Sequence, residues 1–167
     1  MCSFRETVLE IDLNAVTHNY KVLKSKLQPE TKILAVVKAF AYGSDAQEIA
    51  KHLQGLEIDY FAVAYVKEGI ALREAGITKP ILVLHCQPIN FPLIIEHCLE
   101  PSLYSERILK EFITIAEQKQ QTDYPVHIKF NTGLNRLGFA VETVNLISSY
   151  LKQTTSIRVA SIFSHLA

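Results

Sequence analysis

Lys32-Ile33-Leu34-Ala35-Val36-Val37-Lys38-Ala39-Phe40-Ala41-Tyr42-Gly43 sets five apolar residues between two lysines, then a run of small and aromatic residues ending in glycine. An uninterrupted apolar segment of that length reads as a parallel strand covered on both faces. Lys38 falls at its C-terminal end. In a barrel of alternating strands and helices, that end carries the side chains that meet small molecules. Apolar neighbours there would strip water from the ammonium, lower its pKa and leave the neutral amine that condenses with a carbonyl as a Schiff base. Taken alone, the stretch also reads as a strand-end lysine that simply reaches water, the more common case.

On either side the pattern repeats. Val8-Leu9-Glu10-Ile11-Asp12-Leu13 alternates as a strand with one buried face does, and Asn14 can cap a helix carrying Val16, Tyr20, Leu23 and Leu27 until Pro29. Ser44 and Asp45 offer a cap for a helix with Ala46, Ile49, Ala50 and Leu53, closed by Gly55. Further strands are expected over Tyr60–Tyr65, Pro80–Leu84, Leu99–Tyr104, Val126–Phe130 and Ile157–Phe163. Helices are expected over Val66–Ala75, Asn90–Cys98, Ser105–Gln120 and Val141–Tyr150. Such alternation with short connections makes parallel βαβ units in one α/β domain spanning residues 1–167. No GxGxxG follows the first strand, which disfavours a doubly wound dinucleotide-binding sheet. A whole (β/α)8 TIM-type barrel takes about 250 residues. About six barrel strands and an end at Ala167 therefore predict an incomplete, truncated barrel lacking its last strands.

Lysine plus arginine equals aspartate plus glutamate at 17 each, so no net field draws the chain to nucleic acid or an anionic membrane. Nothing approaches the ~20 apolar residues of a membrane span, and Met1 to Glu6 holds no signal-peptide core. Cys2, Cys86 and Cys98 show no CxxC spacing and suggest neither disulfides nor zinc, consistent with a reducing cytoplasm. His85-Cys86 and His97-Cys98 flank a proline-containing loop without metal-ligand spacing, so no metal is expected.

Three stretches place polar residues at the C-terminal edge of an apolar strand: Val37-Lys38-Ala39-Phe40-Ala41-Tyr42-Gly43, His127-Ile128-Lys129-Phe130-Asn131-Thr132-Gly133-Leu134-Asn135-Arg136-Leu137-Gly138-Phe139 and Ser161-Ile162-Phe163-Ser164-His165-Leu166-Ala167. All three would meet on one barrel rim. With Glu68-Gly69-Ile70-Ala71-Leu72-Arg73-Glu74-Ala75-Gly76-Ile77 in the same order, the chain resembles the N-terminal barrel of alanine racemase, a fold-type III pyridoxal 5′-phosphate (PLP) enzyme.

The resemblance implies interconversion of L- and D-alanine, with D-alanine supplied to peptidoglycan by a cytoplasmic homodimer. It makes Lys38 the residue that carries PLP and moves the α-proton on one face. Tyr42 matches the tyrosine beside the cofactor phosphate, and His165 the histidine whose ring lies against the pyridine. Their bland readings are a core aromatic and a satisfied core histidine. Arg136 matches the arginine near the PLP phenolic oxygen and the substrate carboxylate, where a planar two-pronged donor suits both. Lys129, inside an apolar strand, must find a partner or lose its charge. In some members it is carbamylated and steadies the arginine, but Asn131 stands here where aspartate is frequent. The family's second base is a tyrosine on a C-terminal β-domain of the partner subunit, so this chain alone is expected to be inactive. Two other readings remain open: a non-racemising PLP-binding protein of the same fold type, and the racemase module of a bifunctional ligase/racemase of cell-wall synthesis.

Overall fold

The computed structural model describes residues 7–166; Cys2 and the rest of residues 1–6, and Ala167, lie outside the described residues. Six parallel strands pair in sequential order: β1 (Leu34–Val36), β2 (Tyr60–Val63), β3 (Ile81–Val83), β4 (Glu100–Leu103), β5 (Tyr124–Lys129) and β6 (Ile157–Phe163). Sequential order means a sheet wound in one direction, the barrel-type solution; a doubly wound sheet would reverse at a switch point. Between the strands run α3 (Ala46–Gly55), α4 (Val66–Glu74), α5 (Phe91–Glu96), α6 (Glu106–Gln118) and α7 (Val144–Leu151). The helix α1 (Leu13–Lys24) precedes β1, and a six-residue turn, α2 (Lys38–Gly43), follows it.

Strand alternation sorts the side chains by face. Phe61 and Val63 of β2, Ile81 and Val83 of β3, and Val126 and Ile128 of β5 join the buried core under the helices. Ala62 and Leu82, one residue out of phase, face a central cavity, as does Lys129. On the helix side Ile108, Leu109, Phe112 and Ala116 of α6 are fully buried, each large one worth about 1.5–3 kcal/mol. Phe112 meets the edge of Phe91 at 5.0 Å. Tyr124 closes this cluster and donates its hydroxyl to the Leu99 carbonyl at 2.6 Å.

The N-terminal alternation does not make a strand. Val8 and Leu9 are 60% and 64% exposed, and no neighbouring strand pairs with them among the described residues, so the period-2 pattern has neither a buried face nor a ladder. The cap of α1 is Asp12, not Asn14: one carboxylate oxygen accepts from the N–H groups of Asn14 (2.8 Å) and Ala15 (3.2 Å), while Asn14 lies inside the helix. Asp45 caps α3 in the same way, as expected. The strand before Lys38 is shorter than its apolar run, because the chain turns into α2 directly after Val37, whose N–H still donates to the Ala62 carbonyl of β2 at 2.9 Å.

The Glu68–Ile77 stretch spends its charged residues at the two ends of α4. Arg73 donates to the carbonyls of Ile77 (2.8 Å), Lys79 (2.7 Å), His97 (3.2 Å) and Cys98 (2.8 Å), closing the ends of α4 and α5 with one guanidinium. Such planar, multi-directional donation is what arginine offers and lysine does not.

Candidate active site

Lys38 is set by an unusual backbone. Ala39, Phe40, Ala41 and Tyr42 all have positive φ (50°, 54°, 52° and 60°), one turn of left-handed helix built without glycine until Gly43. At about 1–2 kcal/mol per residue, four such residues store roughly 4–8 kcal/mol that the surroundings must offset. The offsetting contacts are specific. Ala41 N–H donates to the Val37 carbonyl (3.0 Å) and Ser44 N–H to that of Phe40 (2.7 Å). Ala39 N–H donates to the carboxylate of Glu68 at 2.8 Å. The other Glu68 oxygen takes the N–H groups of Ala64 (2.7 Å) and Tyr65 (3.0 Å) at the end of β2.

The loop after β5 is shaped by Asn131 and Gly138. The Asn131 amide oxygen accepts from the N–H groups of Gly133 (3.2 Å) and Asn135 (3.0 Å), and its NH₂ donates to Asn135 (2.8 Å). Its side chain therefore organises the loop. Gly138, at φ +137°, lets the chain return against β5. A Cβ there would stand 2.5 Å from Asn131 N and 2.6 Å from the carbonyl carbon of Phe130. Phe139 then donates to the Lys129 carbonyl (2.8 Å) and accepts from Asn131 N–H (2.9 Å). Arg136 is carried on the loop so closed.

These elements bring Lys38, Tyr42, Lys129, Arg136 and His165 to one cavity of about 570 Å³ at the C-terminal ends of the strands. All five residues singled out from the sequence line it. Tyr42 is 69% exposed with its ring centroid 5.9 Å from Lys38 Nζ, so it is no core aromatic; His165 is exposed as well. Lys129 is buried at 5% exposure, and that burial, followed by the positive charges of Arg136 and Lys38, pushes its ammonium below the ordinary lysine value. Three cations thus surround the space, and no aspartate or glutamate is among its lining residues. The remainder of the wall is largely apolar, with Val36, Ala62, Leu82 and Leu84 on one side. The volume and the donor set fit a flat aromatic molecule carrying a dianionic group.

Sequence reading missed what lies beneath. Glu100 Oε2 accepts from Tyr60 (2.6 Å) and from His127 Nε2 (2.7 Å), and His127 Nδ1 pairs with Ser161 Oγ (2.7 Å). Burial and then Glu100 raise the Tyr60 phenol. Alternation could have placed His127 inward, but nothing in the sequence named its partner. Glu68 was also missed as a contact of the lysine turn; its position three residues into α4 is a capping signal, yet Tyr65 is not a usual capping residue. Cys86 is buried, its thiol pushed up to about 12 by burial, and it donates to the Ser102 carbonyl at 2.9 Å. Among the described residues, no group of three His, Cys, Asp or Glu side chains is placed to hold a metal, and no helix is long and apolar enough to cross a membrane.

Residues 11–167 match the family described as alanine racemase, N-terminal domain. The chain is 35% identical over 167 residues to alanine racemase 1 of Caldanaerobacter subterraneus subsp. tengcongensis, covering 98% of this chain and 42% of that protein. Among solved structures, alanine racemase of Clostridium difficile superposes with TM-score 0.87 at 35% identity, over 93% of this chain and 41% of that one. The Bacillus anthracis alanine racemase solved with bound L-Ala-P gives TM-score 0.88 at 28% identity, over 100% and 43%. The chain spans about two fifths of the length of these relatives.

Proposed function

The chain belongs to the alanine racemase family through its N-terminal domain, and from that membership we propose that its cavity is the PLP-holding half of an alanine racemase active site. The observation that carries the reading is the cavity itself: a lysine on a strained turn, two further cations and no lining carboxylate. Bound there, PLP supplies an electron sink for the charge left when an amino acid loses its α-proton.

The residues divide the remaining work. Lys38 would hold the group through its amine and, when free, would take or return the substrate α-proton on one face. Arg136 presents two parallel N–H donors to the phenolic oxygen and to the substrate carboxylate. Tyr42 would hold the phosphate through its hydroxyl, and His165 would hold the pyridine ring. Lys129 is the carbamylated lysine of this reading. Its lowered pKa raises the share of the neutral amine, the form that adds carbon dioxide to give a carbamate and one released proton. Asn131 is committed to its own loop, so a carbamate would supply the anion that Arg136 otherwise lacks. A mass gain of one carbon dioxide on the peptide holding Lys129 is the expected signature.

The substrate we assign is alanine, in keeping with the L-Ala-P bound by the Bacillus anthracis relative and the cycloserine bound by that of Clostridium difficile. The product D-alanine would serve peptidoglycan in a cytoplasmic homodimer whose partner subunit supplies the second base. The test is to incubate the chain with PLP, reduce with borohydride and map the pyridoxyl peptides. Modification concentrated at Lys38 is expected; modification spread over surface lysines with none favoured at Lys38 would refute the assignment.

A further inference from the structure

We propose that Glu68 is a positioning residue for Lys38, holding the left-handed turn that keeps the lysine in the cavity wall. The inference rests on the function just proposed, because it concerns the same lysine. Glu68 lies 29 residues after Ala39 in sequence, yet its Oε1 accepts the Ala39 N–H at 2.8 Å. That amide is in the first turn of a helix, where no intrahelical carbonyl is available to it. The two other bonds of the turn, from Ala41 to Val37 (3.0 Å) and from Ser44 to Phe40 (2.7 Å), run between residues of the turn and its immediate flanks. Glu68 is the partner that comes from outside the turn.

Its second oxygen takes Ala64 and Tyr65 N–H at 2.7 and 3.0 Å, so one carboxylate ties the end of β1 to the end of β2. Charged acceptors make the stronger class of hydrogen bond. None of Ala39, Phe40, Ala41 or Tyr42 favours positive φ by itself, so the strain of the four residues has to be held by such a clamp. Glu68 is not among the residues lining the Lys38 cavity, which makes its action indirect.

The experiment compares parent, Glu68→Gln, and Glu68→Gln combined with Ala39→Gly and Ala41→Gly. Each is incubated with PLP, reduced, mapped, and followed by hydrogen exchange. Glutamine keeps the shape but replaces one acceptor oxygen with a donor that faces another donor. Lys38 modification is expected to fall about tenfold in Glu68→Gln, with exchange protection lost over residues 37–43 and 64–66 alone. The glycine pair lowers the cost of positive φ, so it should raise Lys38 modification at least about threefold. A mere cap on α4 would be indifferent to those glycines. Parental modification in Glu68→Gln, no recovery with the glycines, or protection lost throughout the chain would each overturn the proposal. Absence of favoured Lys38 modification in the parent would overturn the function reading along with it.

Discussion

Gly138→Ala perturbs the site through its backbone alone. The new Cβ would lie 2.5 Å from Asn131 N, 2.6 Å from Phe130 C and 2.9 Å from Phe130 O, and backbone atoms cannot swing aside as a flexible side chain can. The loop must therefore peel from β5, giving up the bonds between Phe139 and the backbone of Lys129 (2.8 Å) and Asn131 (2.9 Å). Two net hydrogen bonds at about 1 kcal/mol each, with about 1–2 kcal/mol for alanine at positive φ, sum to about 3–4 kcal/mol. Gly76→Ala is the internal control, because φ is +89° there but nothing lies within 4 Å of the new methyl; its cost should stop at about 1–2 kcal/mol. Urea unfolding with linear extrapolation measures both. Equal destabilisation by the two substitutions would refute the claim that the close approach of Gly138, and not its φ alone, seats the loop carrying Arg136.

Arg73→Lys should cost about 2–3 kcal/mol, since an ammonium cannot serve four carbonyls in different directions; an unfolding midpoint within error of the parent would contradict this. Lys129 gives a pH test with a definite sign. Its folded pKa lies below its ordinary 10.5, so between the two values the unfolded chain binds more protons and stability rises with pH. The penalty is fully present below the folded pKa. In buffer free of carbon dioxide, Lys129→Met should be more stable than the parent at neutral pH, with the difference shrinking as pH climbs toward 10.5. A difference independent of pH would show that Lys129 is not held against its charge.

The strand ends were legible because apolar runs bounded by polar residues have few other solutions in an alternating α/β chain. Lys38, Arg136 and His165 could be placed on one rim for that reason. The handedness of the turn after Lys38 was not legible, since Ala39, Phe40, Ala41 and Tyr42 carry no preference for positive φ and their partner Glu68 is distant in sequence. The Val8–Leu13 alternation misled because a period of two makes a strand only beside another strand. The layer of Tyr60, Glu100, His127 and Ser161 joins residues on four strands, and pairing of that kind depends on register. Gly138 lay within the quoted His127–Phe139 stretch, but why only glycine serves there follows from its contact with Phe130 and Asn131.

In the proposed site Lys38 moves an alanine α-proton on one face when PLP is present. The direct measurement is α-proton exchange of L- and D-alanine in D₂O with saturating PLP, followed by NMR for the parent and for Lys38→Met against a PLP-only blank. Exchange above the blank is expected for one enantiomer, with its configuration retained, and none above it in the variant. Equal exchange of both enantiomers in the parent, or unchanged exchange in Lys38→Met, would contradict it.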